Sequence, residues 1–278
     1  MRFSVGCELS YTVRRQTTLI FNIEPMRNDQ QRVTSERLTI TPQADAHTHV
    51  AADTGNRYIR LLLPEGDHTI LYQGEVELSA RRGNPDSIAE VPVDRLPLGV
   101  LPFLNPSRYC LSDELGRFAQ REFGGLAPGH NRVTAICNWI NDRVDYLRGA
   151  SDTATTAIDT FANRAGVCRD FAHLGISFCR ALGIPARFVS AYAWQLQPPD
   201  FHAVFEAYLG GHWYLFDATR QAALDGIVRI GCGRDAADTA FSTIYGELEP
   251  HPMRIWIEAL DQPPGQDWTV DAVSVAAH

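Results

Sequence analysis

"GVCRDFAHLGISFCRALGIPARFVSAY" (Gly166–Tyr192) carries the reading on which the fold turns. Phe171, Leu174, Gly175, Phe178, Cys179 and Leu182 recur at three- and four-residue spacing, which predicts a helix from Cys168 to about Leu182 with one buried side. Gly183, Ile184 and Pro185 break it, and "ARFVSAYAW" behind it reads as a strand. Cys168 opens the helix, so it is either a nucleophile or a small core residue. Cys179, three turns further along the apolar side, reads as core.

Working upstream, three more helices are expected. "SDELGRFAQREFGG" has Ser112 as its N-cap and Gly124-Gly125 as its stop. "NRVTAICNWINDRVDYL" places Val133, Ile136, Ile140, Val144 and Leu147 on one side, with Cys137 inside that stripe. "TTAIDTFANRAG" starts at Thr155 or Thr156 and ends at Gly166. Downstream come the strand-like runs "HAVFEAYL", "HWYLFDAT", "GIVRIG" and "MRIWIEAL". Helices first and an antiparallel sheet afterwards predict an α+β domain.

From Met1 to about Leu78, short near-alternating runs such as "RLTITP" and "RYIRLLLP" predict an antiparallel β-sandwich or barrel-like domain. Pro85, Pro92, Pro97, Pro102 and Pro106 then deny regular helix and suggest an extended connection. The expected organisation is an N-terminal β-domain over 1–82, a proline-rich connection over 83–106, an α+β core over 107–260, and a tail of uncertain order over 261–278.

With 45% hydrophobic and 21% charged residues, 278 residues suffice to bury a core. A formal charge of −8 argues against nucleic acid and anionic membranes as partners, since both require a concentrated basic surface. The first residues lack the pattern of a secretory signal, and no stretch approaches the roughly 18 apolar residues of a membrane span, so a cytoplasmic location is expected. The six cysteines form no C-x-x-C pair, which fits reduced thiols better than disulfides or a zinc site. His47 and His49 share one face of a possible strand, but no third ligand can be named, and a solvated face is the expectation. Nothing in the sequence specifies an oligomeric state.

The chemistry centres on Cys168. Unpaired amides and the dipole at a helix start favour a thiolate, and the same amides can donate to an oxyanion beside the sulfur. A thiolate needs a base, and the base needs a group to orient it. "DFHAVFEAYLGGHWYLFDATR" (Asp200–Arg220) supplies both if Gly210-Gly211 forms a tight two-residue turn. Leu209 then lies opposite His212, and Val204 opposite Asp217. His202 and Asp217 become diagonal neighbours on one face, roughly 5 to 8 Å apart at Cβ. A one-residue slip would part them. Viewed alone, the two could equally be a surface pair.

The order Cys168, His202, Asp217 is that of papain-like enzymes. The motifs G-V-C-R-D, D-x-H-A and F-D-A-T resemble those of the transglutaminase-like superfamily, in its bacterial branch with an N-terminal β-domain. The resemblance is densest from Asp152 to Asp238, where "GRDAADTAF" also fits. It implies Cys168 as nucleophile, His202 as general base and Asp217 as its orienting carboxylate. It also implies a peptide or protein amide as substrate, and no metal or cofactor. Val204 and Ala218 stand where the family commonly has Trp and Pro, which bears on the shape of the acceptor groove.

The family's upstream oxyanion-holding Trp has no assignable counterpart; Tyr192 or Trp194 is expected to reach the site instead, and Glu206 to line the groove. Arg169 and Arg220 are expected in ordinary salt bridges, His173 as a packing residue, and Asp170 as a complement to the helix dipole. Hydrolysis of a peptide or isopeptide bond is the leading expectation. Transamidation, and a non-catalytic binding module that retains the fold, stay open beside it.

Overall fold

The structure, a computed structural model, describes residues 1–261 and 271–276. The N-terminal strands are β1 (Arg2–Val13), β2 (Thr17–Phe21), β3 (Gln31–Thr41), β4 (Ala46–Val50), β5 (Arg57–Leu63), β6 (Gly66–Leu78) and β7 (Arg81–Gly83). Helices α1 (Gly116–Phe123) and α2 (His130–Arg143), strand β8 (Asp145–Tyr146), helix α3 (Ala157–Asn163), strand β9 (Ala165–Gly166) and helix α4 (Cys168–Ala181) follow. The chain then forms β10 (Ala186–Ala193), β11 (Phe201–Leu209), β12 (His212–Phe216), β13 (Ile227–Gly233), β14 (Ser242–Tyr245), β15 (Leu248–Pro250), β16 (Arg254–Ala259) and β17 (Ala272–Ser274). Among the described residues, no helix is long and apolar enough to cross a membrane.

Strand β1 shows why the N-terminal lobe is a sandwich. Phe3, Val5, Cys7, Leu9, Tyr11 and Val13 are buried, while Ser4, Glu8, Ser10 and Thr12 alternate with them at less buried positions. β1 pairs antiparallel with β6 along its whole length, and β6 with β3. β2, β5 and β4 form the second sheet, whose Leu19, Phe21, Ile59 and Leu61 share one apolar cluster with the inward side of β1.

The core expected to end at 260 returns to this lobe earlier. β14 pairs with β2, while β15 and β16 both pair with β1. "MRIWIEAL" is therefore a strand of the first lobe and not of the core sheet. A period-2 pattern identifies a strand without identifying its partner, and β1 offered an edge of backbone N–H and C=O groups that required pairing. The tail is likewise corrected in part: β17 pairs with β7, and Val273 and Val275 are buried. Residues 262–270 and 277–278 lie outside the described residues. The proline-rich connection winds through three short 3₁₀ turns, Pro85–Ser87, Val93–Arg95 and Leu98–Leu104.

The core sheet runs β12-β11-β10-β13, all antiparallel. Helix α4 covers one face, packing with Phe188, Ala203, Phe205 and Leu209. A Cβ on Gly175 would lie 2.6 Å from the Phe205 ring, so glycine lets helix and sheet approach closely. The opposite face, with Val189, Ala191, Val204 and Leu215, joins the apolar cluster of the N-terminal sandwich. β13 is an edge strand, and side-chain amides from the first lobe satisfy it. Gln31 donates to Arg229 O at 2.8 Å and accepts from Arg229 N at 2.8 Å. Asn56 does the same for Cys232, at 2.9 Å in each direction.

Three helix boundaries differ from expectation, the first being that of the second helix, which stops at Arg143, so that Asp145–Tyr146 form β8 and Leu147, expected on the apolar side, is exposed. The helix expected from Ser112 begins at Gly116 with no side-chain cap, and Ser112 is buried. Thr156 does cap α3, in a reciprocal capping box with Asp159, but left-handed Arg164 (φ 57°) ends that helix before Gly166.

Candidate active site

Helix α4 starts at Cys168. Asp170 accepts from the Val167 N–H at 2.8 Å and from the Ser151 hydroxyl at 2.5 Å, so a carboxylate holds the first turn, as expected of a group complementing the helix dipole. Cys168 is half-buried; the other five cysteines are buried. Cys137 and Cys179 lie in the helical core cluster. Burial pushes the Cys137 thiol up, and does the same to Cys179.

Hairpin β11–β12 turns on Gly210 and Gly211, with φ of 56° and 88°, the positive dihedrals a tight two-residue turn requires. Leu209 pairs with His212 and Phe205 with Phe216. This register brings His202 Nε2 to 3.0 Å from Asp217 Oδ2, with side-chain exposures of 0% and 3%. The pair is thus buried and not a surface pair. Asp217 also accepts from Thr219 N at 2.9 Å and Thr219 Oγ1 at 2.7 Å, with Gln221 N and Ala222 N at 3.3 Å. Its oxygens are therefore fixed before any proton moves.

Burial works against a charged His202 ring, but the Asp217 charge and hydrogen bond, together with the Cys168 thiol, outweigh it and raise the pKa to about 10. Asp217 is likewise opposed by burial, yet His202 and Thr219 hold its carboxyl below the usual range. Nδ1 of His202 is buried and has no hydrogen-bond partner among the described residues, and the Cys168 thiol lies beside the ring. Cys168 and His202 line one cleft of about 450 Å³, together with Ser190, Phe201, Thr239 and Phe241.

Tyr146 is the neighbour that the sequence did not disclose. Strands β8 and β9 pair in parallel, Tyr146 opposite Gly166, which draws the phenol beside the start of α4. Its phenol sits beside Cys168; burial and the neighbouring sulfur push its pKa up to about 12, so it stays protonated at neutral pH. Two-residue strands carry too little periodicity to be read, and only the "DYL" at the end of the expected second helix marked the place.

The three expected substrate residues lie elsewhere. Tyr192 is fully buried and donates to Ile23 O at 2.8 Å, tying sheet to sandwich. Trp194 packs its ring 5.9 Å from Phe3. Glu206 has 0% exposure and pairs with Arg187 at 2.6 Å and Arg229 at 3.6 Å. The expectation that Tyr192 or Trp194 reaches the site and Glu206 lines the groove fails because strand alternation does not distinguish an open site from the buried interface between lobes. His173 packs against Tyr109 and Phe188, and its Nε2 accepts from Ala236 N at 3.1 Å. Arg169 pairs with Asp170 at 2.9 Å, whereas Arg220 bonds the Asn138 carboxamide.

A helix whose first residue is a thiol, packed on an antiparallel sheet that presents an imidazole held by a buried carboxylate, is a papain-like architecture. A family model for the bacterial transglutaminase N-terminal domain matches residues 1–98, and one for the transglutaminase-like superfamily matches residues 117–218. The chain belongs to the transglutaminase-like superfamily. It is 40% identical to the crystal structure of a "Putative Cysteine Protease" from Cytophaga hutchinsonii, with a TM-score of 0.95 over 99% of this chain and 98% of that one. An uncharacterized protein of Mycobacterium leprae is 32% identical over 120 residues, a match covering 39% of this chain and 42% of that protein. A Mycobacterium tuberculosis protein, also uncharacterized, is 26% identical over 253 residues, or 78% and 77% of the two chains.

Proposed function

We propose that this protein is a cysteine-dependent acyl-transfer enzyme that hydrolyses a peptide or isopeptide amide. The observation that carries the reading is the grouping of Cys168, at the start of α4, with a His202 whose far nitrogen is held 3.0 Å from buried Asp217. In this scheme the Cys168 proton passes to His202, and the thiolate attacks the amide carbon. The charge that develops on the carbonyl oxygen is met by the Cys168 N–H at the start of α4 and the neighbouring Tyr146 phenol. The C–N bond breaks as His202 returns its proton to the leaving amine, and a thioester remains. Water then gives a proton to His202 and attacks the thioester, releasing the acid and the thiol.

The test is a peptide library incubated with enzyme in the presence and absence of a primary amine, with products read by mass spectrometry. Free acids are expected as the main products. Amine conjugates dominating at modest amine concentration would replace hydrolysis by transamidation. A Cys168 that reacts with iodoacetamide no faster than the other five thiols at neutral pH, with His202→Ala making no difference, would overturn the enzyme reading in favour of a binding module.

A further inference from the structure

We infer that the cleft holds a subsite for a neutral, hydrogen-bonding substrate side chain, formed by the hydroxyls of Ser190 and Thr239 beside the Cys168–His202 pair. The inference rests on the acyl-transfer reading and names the class of residue presented to it. Ser190 Oγ and Thr239 Oγ1 are closed off from bulk solvent and have no hydrogen-bond partner among the described residues, and both residues line the cleft that contains Cys168 and His202. Thr239 is only 2% exposed. Unpaired buried hydroxyls are costly, and native proteins keep them chiefly where something else will bond them.

Both positions are built. Ser190 lies opposite Ala203 on β11, next to His202, and β10 shifts register against β13 between Ser190 and Ala191. Such bulges re-aim side chains beside active sites. Thr239 belongs to a turn anchored at several points. The Ala236 N–H donates to His173 Nε2 at 3.1 Å, the Tyr109 N–H to Asp235 Oδ2 at 2.9 Å, and the Tyr58 hydroxyl to Asp238 O at 3.0 Å. His173 thus has a purpose beyond packing, since it pins the wall that carries Thr239.

The remaining surface selects the ligand. Phe188, Ile230 and the Phe201–Phe241 stack, with centroids 5.1 Å apart, make the cleft largely apolar. Beyond the Cys168–His202 pair, its charged side chains are engaged: Arg169 pairs with Asp170 at 2.9 Å, and Asp200 accepts from Phe201 N at 2.8 Å and faces Arg148 at 3.8 Å. A charged substrate side chain would be desolvated without a free partner, and an aliphatic one would leave both hydroxyls unpaired. A carboxamide or hydroxyl offers what two hydroxyls can both give and accept.

The test uses peptide amides that differ only in the residue whose carbonyl is attacked, with Asn, Leu, Asp and Lys compared by kcat/KM. Asn is expected to exceed the near-isosteric Leu by about tenfold, the worth of roughly one net hydrogen bond, with Asp and Lys no better than Leu. In the double variant Ser190→Ala, Thr239→Val the Asn advantage is expected to fall within about twofold of unity, while the thermal midpoint does not drop, because each removed hydroxyl had no partner to lose. Equal turnover of Asn and Leu peptides by the wild type, or an Asn preference that survives in the double variant, overturns the subsite. Should no peptide be turned over, the acyl-transfer reading fails separately. Calorimetric binding of the Asn and Leu peptides to Cys168→Ala then reads the same ratio, and equal affinities overturn the subsite.

Discussion

His202 and Asp217 meet at 3.0 Å with both side chains closed to solvent, one at the start of β11 and the other just past the end of β12. A carboxylate so placed fixes which imidazole nitrogen carries the proton and stabilises the charged ring. Asp217→Asn keeps the volume and loses the charge. The expected result is a fall in kcat/KM of about two to four orders of magnitude on a peptide substrate, with the fold retained by circular dichroism.

The pH profile of the wild type should show the same pairing. Reaction through a thiolate and an imidazolium ends when His202 loses its proton. Because that pKa is raised to about 10, the alkaline limb of kcat/KM is expected far above the usual histidine range. In Asp217→Asn the limb should move back toward about 6.5. A limb that stays in place in the variant would separate it from His202.

Stability carries the same sign. The folded pKa of His202, about 10, lies above its unfolded value, so its contribution is fully present below about pH 6.5 and is lost as pH rises through 10. Asp217 is lowered, so its contribution is present above the usual carboxylate pKa and is lost in acid. The urea midpoint of wild type relative to His202→Gln should therefore be highest near pH 6 and converge toward pH 10.

Tyr146→Phe removes only a hydroxyl from a residue that is 37% exposed, so folding should be little affected. Loss of a donor to the developing oxyanion is expected to cost about 10²-fold in kcat with KM nearly unchanged. A change confined to KM would assign Tyr146 to substrate binding instead.

The amides that satisfy β13 join the two lobes. Gln31→Ala leaves the Arg229 N–H and C=O and the Met26 C=O without the partner that Gln31 provided at 2.7 to 2.8 Å. It is expected to destabilise the protein by about 2 to 4 kcal/mol in urea titration, with far-UV and tryptophan signals shifting together because one apolar cluster spans both lobes.

What could be read without coordinates was local. The apolar spacing that ends at Gly183 specifies α4 and puts Cys168 at its start, and two adjacent glycines between alternating runs specify a hairpin whose register brings His202 to Asp217. Each depends on neighbours in the chain, through helical periodicity, strand alternation and the dihedrals that glycine permits. Tertiary structure decided the remainder. β16 could have paired with any free edge and took β1; Tyr192 and Glu206 could have faced a groove and became interior; Tyr146 reached Cys168 through a two-residue parallel pairing. The composition of a strand records that one of its faces is buried, but the choice of partner and covering surface comes from contacts between residues far apart in sequence, to which local periodicity is blind.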